Sequence, residues 1–484
     1  MSFDLNQDFS RSSDHSPTRE VAKHRSCPFA MSVLSPIADI DLVSLRNEKP
    51  RCHTGVFYFR GLNDLRIYSS SSSGTAVFVA NIGGTAQQHE RILAMSDESS
   101  EGLDRRDFMV AAAGASAALA ANSGARGADQ ANTASRGTVY TGGMIDGKKV
   151  ISALNIDDLE PSKKHLFYFQ GVQMVTGQHW YVSVMVAKGA RPGKRIALVS
   201  GVHGDEISPV RTLQTVMDQL DPAAMSGAVL AVLDVSRPAI EGMARRWPNS
   251  GRGIDLIDMN REWPGNENGP TAPSRHAGLL FNRLLRPNAD YAMDFHTGTT
   301  GMDVTAFHLA RMDLPEVRTM AQLFPIDQIF DNPAYPGILA GALIDAGIPA
   351  FTPEIGASRI LDRSMIPLFV EGTMNVLKHH GIIAGPMGRT GMETGVFIGN
   401  SAHAVLATNG GFVELLVKLN DKVEAGQRVA VQRNTFGEVV AEYTSGVTGE
   451  VTACRTDATS EPGNMLVAVL YNRAPPDLID PIPE

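Results

Sequence analysis

The chain has 484 residues, 43% of them hydrophobic and 20% charged, with a formal net charge of −9. That length exceeds one ordinary core and implies two folded domains plus extra segments. The acidic balance argues against nucleic acid or an anionic membrane as the main partner and leaves a small molecule as the expected ligand. Cys27, Cys52 and Cys454 are too few and too scattered for a disulfide framework or a zinc knuckle.

Residues 1–94 are rich in Ser, Arg and Asp, carry the tract Ser69–Ser73 and show no sustained periodicity, so a disordered or spurious upstream segment is expected. Arg105 and Arg106, followed by Phe108, Met109 and a small-residue apolar stretch to Ala121, resemble a twin-arginine export signal. An Ala-rich linker helix is the bland alternative. Met95 precedes the pair where a signal should start, so residues 95–137 are expected to be signal and linker. The mature protein is then periplasmic or secreted with no stable membrane anchor; a cytoplasmic location is the alternative.

From residue 138 the texture is that of a folded domain. Leu166–Val172 and His179–Lys188 read as strands, and Arg195-Ile-Ala-Leu-Val-Ser-Gly201 as a buried strand opening onto His203 and Glu206. Ile207–Leu220 has helical spacing, with Pro209 in its first turn. Further on, Ala228–Val235, Tyr291–Phe295 and Ile348–Thr352 read as strands, and Arg275–Leu285, Leu314–Leu323 and Ile366–His380 as helices. This alternation over residues 138–385 indicates an α/β sheet covered by helices on both faces.

After Gly385 the runs are short and β-rich: Ala402–Ala407, Gly411–Lys418, Gln427–Val431 and Glu438–Tyr443. Leu419–Gly426 and Ser445–Thr452 read as turns of a small barrel or sandwich over residues 386–484. The second half resembles a biotinyl/lipoyl-type module but has no carrier lysine, so a structural role, or a wall of the active site, is expected.

Chemistry concentrates at the strand ends. In a chain with 13 histidines and 52 acidic residues the His203–Glu206 spacing alone decides nothing. His296, ending the run Asp290–Phe295, adds a second imidazole. A His, Glu, His set with one open position is what a catalytic zinc requires. Asp294, two residues before His296, is placed to orient its ring. Asn260 and Arg261, between an apolar dipeptide and Trp-Pro-Gly265, suit recognition of a carboxylate. Arg245, Arg246 and Arg252 could polarise a scissile carbonyl, although a solvated surface cation is the ordinary reading of any one arginine. Glu354, ending a strand before Gly356, reads as a general base ahead of a helix cap or a fourth ligand.

Four phrases in order, Gly201-Val-His-Gly-Asp-Glu206, Asp258-Met-Asn-Arg261 followed by Trp-Pro-Gly, Asp294-Phe-His-Thr-Gly298 and Glu354-Ile-Gly356, resemble the succinylglutamate desuccinylase/aspartoacylase family over roughly residues 171–385. The β module also looks like that family's C-terminal domain. The resemblance implies a zinc carboxypeptidase-like fold and hydrolysis of an amide in an N-acyl amino acid or similar small molecule. It implies one zinc ion on His203, Glu206 and His296, and Glu354 as base and later proton donor. It gives Asn260 and Arg261 a substrate carboxylate and an upstream arginine the oxyanion.

That arginine is ambiguous because the loop Arg245–Asp258 is longer than the family's usual one. Spacing to Pro248 favours Arg245 and spacing to Asn260 favours Arg252; Arg245 is preferred. A metallocarboxypeptidase acting on peptides and an exported non-catalytic binding protein are the alternative functions. Acyl and amino-acid specificity is not encoded in these motifs, and a homo-oligomer is left open. Intact-mass analysis of the native protein is expected to find residues 1–94 absent; a mature species that retains them refutes the internal start.

Overall fold

The computed structural model describes residues 137–249, 255–332 and 335–473, together with three short strands, Val56–Tyr58, Arg66–Tyr68 and Val79–Asn81. The chain divides into two compact units, Met1–Asp129 and Gln130–Glu484. In the first, the three strands pair antiparallel in order. Met95, Arg105, Arg106, Cys27 and Cys52 lie outside the described residues.

The second unit is built on a mixed sheet of 11 strands. In chain order these are β1 (Val139–Ile145), β2 (Lys148–Ala153), β3 (Lys163–Gln173), β4 (His179–Lys188), β5 (Arg191–Val199), β6 (Ser226–Val232), β7 (Tyr291–Asp294), β8 (Ala306–Ala310), β9 (Gln328–Asp331), β10 (Ala350–Ile355) and β11 (Phe397–Gly399). Across the sheet they run β11-β9-β8-β10-β7-β5-β6-β4-β3-β2-β1. The middle of the sheet is parallel: β5 lies between β6 and β7, and β7 pairs with β10. Strands β3 and β4 pair antiparallel, as do β4 and β6.

The central position of β5 explains its sequence. Ile196 and Leu198 face one apolar core and Ala197 and Val199 the other, so the strand reads as an unbroken apolar run. Helices α1 (Ile207–Gln219), α2 (Ala272–Leu280), α3 (Pro315–Gln322), α4 (Leu339–Asp345) and α5 (Ile366–His379) cover the sheet. Leu213, Val216 and Met217 of α1 pack with Phe369 and Val376 of α5 in one core, and Leu280 of α2 with Leu339 and Leu343 of α4 in the other. Each core therefore takes helices onto one face of the sheet. Among the described residues no helix is long and apolar enough to cross a membrane.

Beyond Gly399 the described chain is β-rich. Ser401–Leu406, Gly449–Arg455 and Met465–Tyr471 form one sheet; Gly411–Leu415, Arg428–Arg433, Val439–Thr444 and Thr459–Ser460 form another. Their inward faces enclose Val405, Val423, Val429, Tyr443, Val451 and Val469. The first sheet is completed by Met302–Val304 and Lys422–Val423, each of which pairs antiparallel with Gly449–Arg455. One expectation is corrected: residues 449–452, read as a turn, begin a strand. A Cβ at Gly449 would lie 2.3 Å from the Leu470 carbonyl, so this glycine permits close strand packing and does not mark a turn.

Gly372 shows how packing overrides helix propensity. It lies inside α5, where Ala is ordinarily favoured by about 1 kcal/mol. A Cβ there would come within 2.1–2.2 Å of the fully buried Phe324 ring, which has no room to retreat. Gly372→Ala is therefore expected to destabilise the fold by about 1–3 kcal/mol, read from the midpoint of denaturant unfolding. A stabilised variant would contradict this packing.

Candidate metal centre

The centre forms where β5 and β7 end side by side. Gly201 adopts φ +71, and a Cβ on it would lie 2.9 Å from the Leu233 carbonyl. This left-handed step turns the chain out of the strand. A Cβ at Gly204 would fall 2.0 Å from the Ala239 backbone, so the turn can seat itself only with glycine there. The turn delivers His203 and Glu206, both almost completely buried. Glu206 occupies the N-cap of α1 without capping it, which leaves its carboxylate for other partners.

His296 arrives two residues beyond the end of β7. Its N–H donates to the Pro353 carbonyl at 2.8 Å, and its own carbonyl accepts from Ile355 N–H at 2.9 Å. These bonds tie it beside Glu354, which pairs with it across a parallel bridge.

The side chains of His203, Glu206 and His296 converge. Nδ1 of His203 is 2.8 Å from Glu206 Oε1, Nδ1 of His296 is 2.8 Å from Glu206 Oε2, and the two Nδ1 atoms are 3.1 Å apart. The opposite ring nitrogens are engaged too: His203 Nε2 lies 3.0 Å from Asp258 Oδ1, and His296 Nε2 3.0 Å from Asp294 Oδ2. Each Nε2–H can donate to its aspartate, which fixes the tautomer and leaves the two Nδ1 lone pairs facing each other. Two lone pairs and a carboxylate packed this closely repel unless a cation or extra protons intervene. Tetrahedral ligands at zinc–nitrogen distances of about 2.0–2.1 Å sit about 3.3 Å from one another, close to the separations found here. The residues present fit a divalent ion.

The same crowding shifts the groups that line the centre. Burial would raise the Glu206 carboxyl, but His203 and His296 overcome it and hold the group far below the usual carboxylate range. Burial would depress His296, yet Asp294 and Glu206 reverse this and lift the imidazole well above its ordinary value. Asp258, despite desolvation, is held far below its ordinary range by its bond to His203 and by Arg245. Burial pushes Glu354 well above the carboxylate range; Glu206 and Asp294 add to this, while His296 and Arg245 oppose it. Glu354 Oε2 is sheltered and has no hydrogen-bond partner.

The remaining sequence candidates separate. Arg245 reaches the centre, donating from Nη1 to Glu206 Oε1 at 2.8 Å, with Nη2 3.8 Å from Asp258 Oδ2. Asn260 is buried: its Nδ2 lies 3.3 Å from His296 Nε2, and its Oδ1 accepts from Leu339 N–H at 3.0 Å. Arg261 is exposed and donates to the Asn260 carbonyl at 2.7 Å. Arg246 is exposed, and Arg252 lies outside the described residues. Sequence reasoning assigned no role to Asp258. Its place in the phrase with Asn260 and Arg261 was the only signal, and its contact with His203 spans 55 positions.

Residues 192–380 match the model of the succinylglutamate desuccinylase/aspartoacylase catalytic domain. Over 290 residues the chain is 24% identical to the N-alpha-acetyl-L-2,4-diaminobutyric acid deacetylase of Halomonas elongata, covering 57% of this chain and 82% of that one. Among solved structures, the product-bound ectoine utilization protein EutE (DoeB) from Ruegeria pomeroyi matches with TM-score 0.58 and 20% identity, over 65% of this chain and 96% of that one. A succinylglutamate desuccinylase/aspartoacylase from Rhodobacter sphaeroides matches with TM-score 0.57 and 21% identity, over 66% and 98%. Asp294→Asn, which removes the carboxylate behind His296, is expected to weaken zinc retention by about 10–100-fold in chelator competition. Unchanged retention would show that Asp294 does not tune the centre.

Proposed function

We propose, since the chain belongs to the succinylglutamate desuccinylase/aspartoacylase family, that it is a zinc-dependent amidohydrolase removing an acyl group from an N-acyl amino acid or similar small amide. The observation that carries this reading is the convergence of His203, Glu206 and His296, with the unpartnered Glu354 carboxylate oxygen beside them. The Halomonas elongata relative is named as a deacetylase, and the class of substrate, a small N-acylated molecule, is taken from it. The site's position at the carboxyl ends of parallel central strands suits a zinc carboxypeptidase-like fold.

In this reading His203, Glu206 and His296 hold one zinc ion. Zinc, when bound, supplies a Lewis acid for the amide carbonyl and lowers the pKa of a water. Glu354 accepts a proton from the attacking water and returns it to the leaving amine. Its carboxyl, raised by burial and by like charges, is brought back toward a working range by added positive charge nearby. Arg245, half-buried and with donors beyond its bond to Glu206, offers hydrogen bonds to the developing oxyanion. Arg261, with Arg252, holds the substrate carboxylate. Asn260 steadies that segment through Leu339 and faces His296. The export reading rests on the Arg105–Arg106 sequence alone.

Glu354→Gln keeps the shape and removes the base. It is expected to lower hydrolysis of N-acyl amino acids by about 10²–10⁴-fold while the protein retains one zinc per chain, measured by amine release and metal analysis with short peptides as a comparison arm. A folded, metal-free protein without hydrolase activity, or a Gln variant at full rate, would overturn the proposal.

A further inference from the structure

We infer that Arg359 is a positioning residue: it braces the segment bearing Arg245 against the ligand turn and so fixes the guanidinium that faces Glu206. Arg359 lies five residues beyond Glu354, outside every motif that suggested the site. Its backbone N–H donates to the Asp205 carbonyl at 2.7 Å, and its Nη2 donates to the Met243 carbonyl at 3.2 Å. Its Nε stands 3.9 Å from Asp205 Oδ2. One side chain thus spans the turn that delivers Glu206 and the loop that delivers Arg245.

Three further observations give the contact weight. Met243 and Arg359, the two ends of the bond, both have left-handed backbones, φ +44 and φ +64. A non-glycine residue keeps such a conformation only where its surroundings impose it. Met243 is two residues from Arg245, so a carbonyl held in place there sets where the Arg245 side chain begins. Asp205 is completely buried next to Glu206; its Oδ2 accepts from Thr300 Oγ1 at 2.6 Å, and its Oδ1 has no hydrogen-bond partner. The Arg359 cation is the nearby charge that offsets this buried carboxylate. Through Asp205 the brace also reaches the loop following His296.

The Arg359 side chain is 57% exposed, so it can be replaced without opening the core. Alanine keeps the cost of the left-handed backbone and removes only the guanidinium; lysine restores a cation and a donor. Arg359→Ala is expected to speed amide hydrogen exchange about tenfold across residues 241–247 and to leave α1 unchanged. It is expected to lower kcat/KM for N-acyl amino acids about tenfold, with Arg359→Lys recovering part of the loss. In an Arg245→Ala background the same change is expected to cost less than twofold, because its effect runs through Arg245.

Unchanged exchange in residues 241–247 would overturn the inference. So would an equal loss in both backgrounds, which would mean that Arg359 acts on substrate directly. Only the catalytic readout rests on the deacylase reading. Faster exchange in a protein that hydrolyses no N-acyl amide would uphold the brace and sink the proposed function.

Discussion

Two imidazole nitrogens 3.1 Å apart, sharing one carboxylate, are the constraint around which the centre is built. No arrangement of neutral rings satisfies that geometry once Asp258 and Asp294 have claimed the other nitrogens. Extra protons or a cation must sit among them. The surrounding residues follow from that demand. Asp258, Asp294 and Glu206 crowd their carboxyl groups around the two rings in a nearly dry setting, and Arg245 offsets part of that charge. Buried carboxylates in this number are costly unless something positive is shared between them. The glycines at 201 and 204 are the steric terms on which the turn can meet the demand.

His203, Glu206 and His296 were legible because each closes a short phrase at the end of an apolar run, and parallel strands bring such ends together. Strands β5 and β7 show this: their registers place Val199 opposite Asp294, so the residues just beyond them meet. Partners supplied from afar left no comparable trace. Asp258 looks like any loop carboxylate until His203 is placed against it, and Arg359 belongs to no repeat or motif.

Two strands left unassigned in the sequence escaped for the same reason. Strands β8 and β9 carry His308 and Gln328, polar residues that are fully buried only because of tertiary packing. His308 sits among Phe324, Phe351 and Phe369. Burial there drives its imidazole down to about 3, so it packs as a neutral ring, and nothing in the local pattern announces that. Where burial of one face set the pattern, as in α1 and α5, the sequence periodicity and the observed helices agree to within a residue or two.

The two halves of the second unit exchange segments. Met302–Val304, a few residues past His296, is woven into the β-rich sheet, whereas Phe397–Gly399 closes the edge of the large one beside β9. Neither half is thus a cassette that recombination could lift out cleanly, since each would leave with a strand its counterpart needs. Any drift in the smaller part is therefore felt next door to His296.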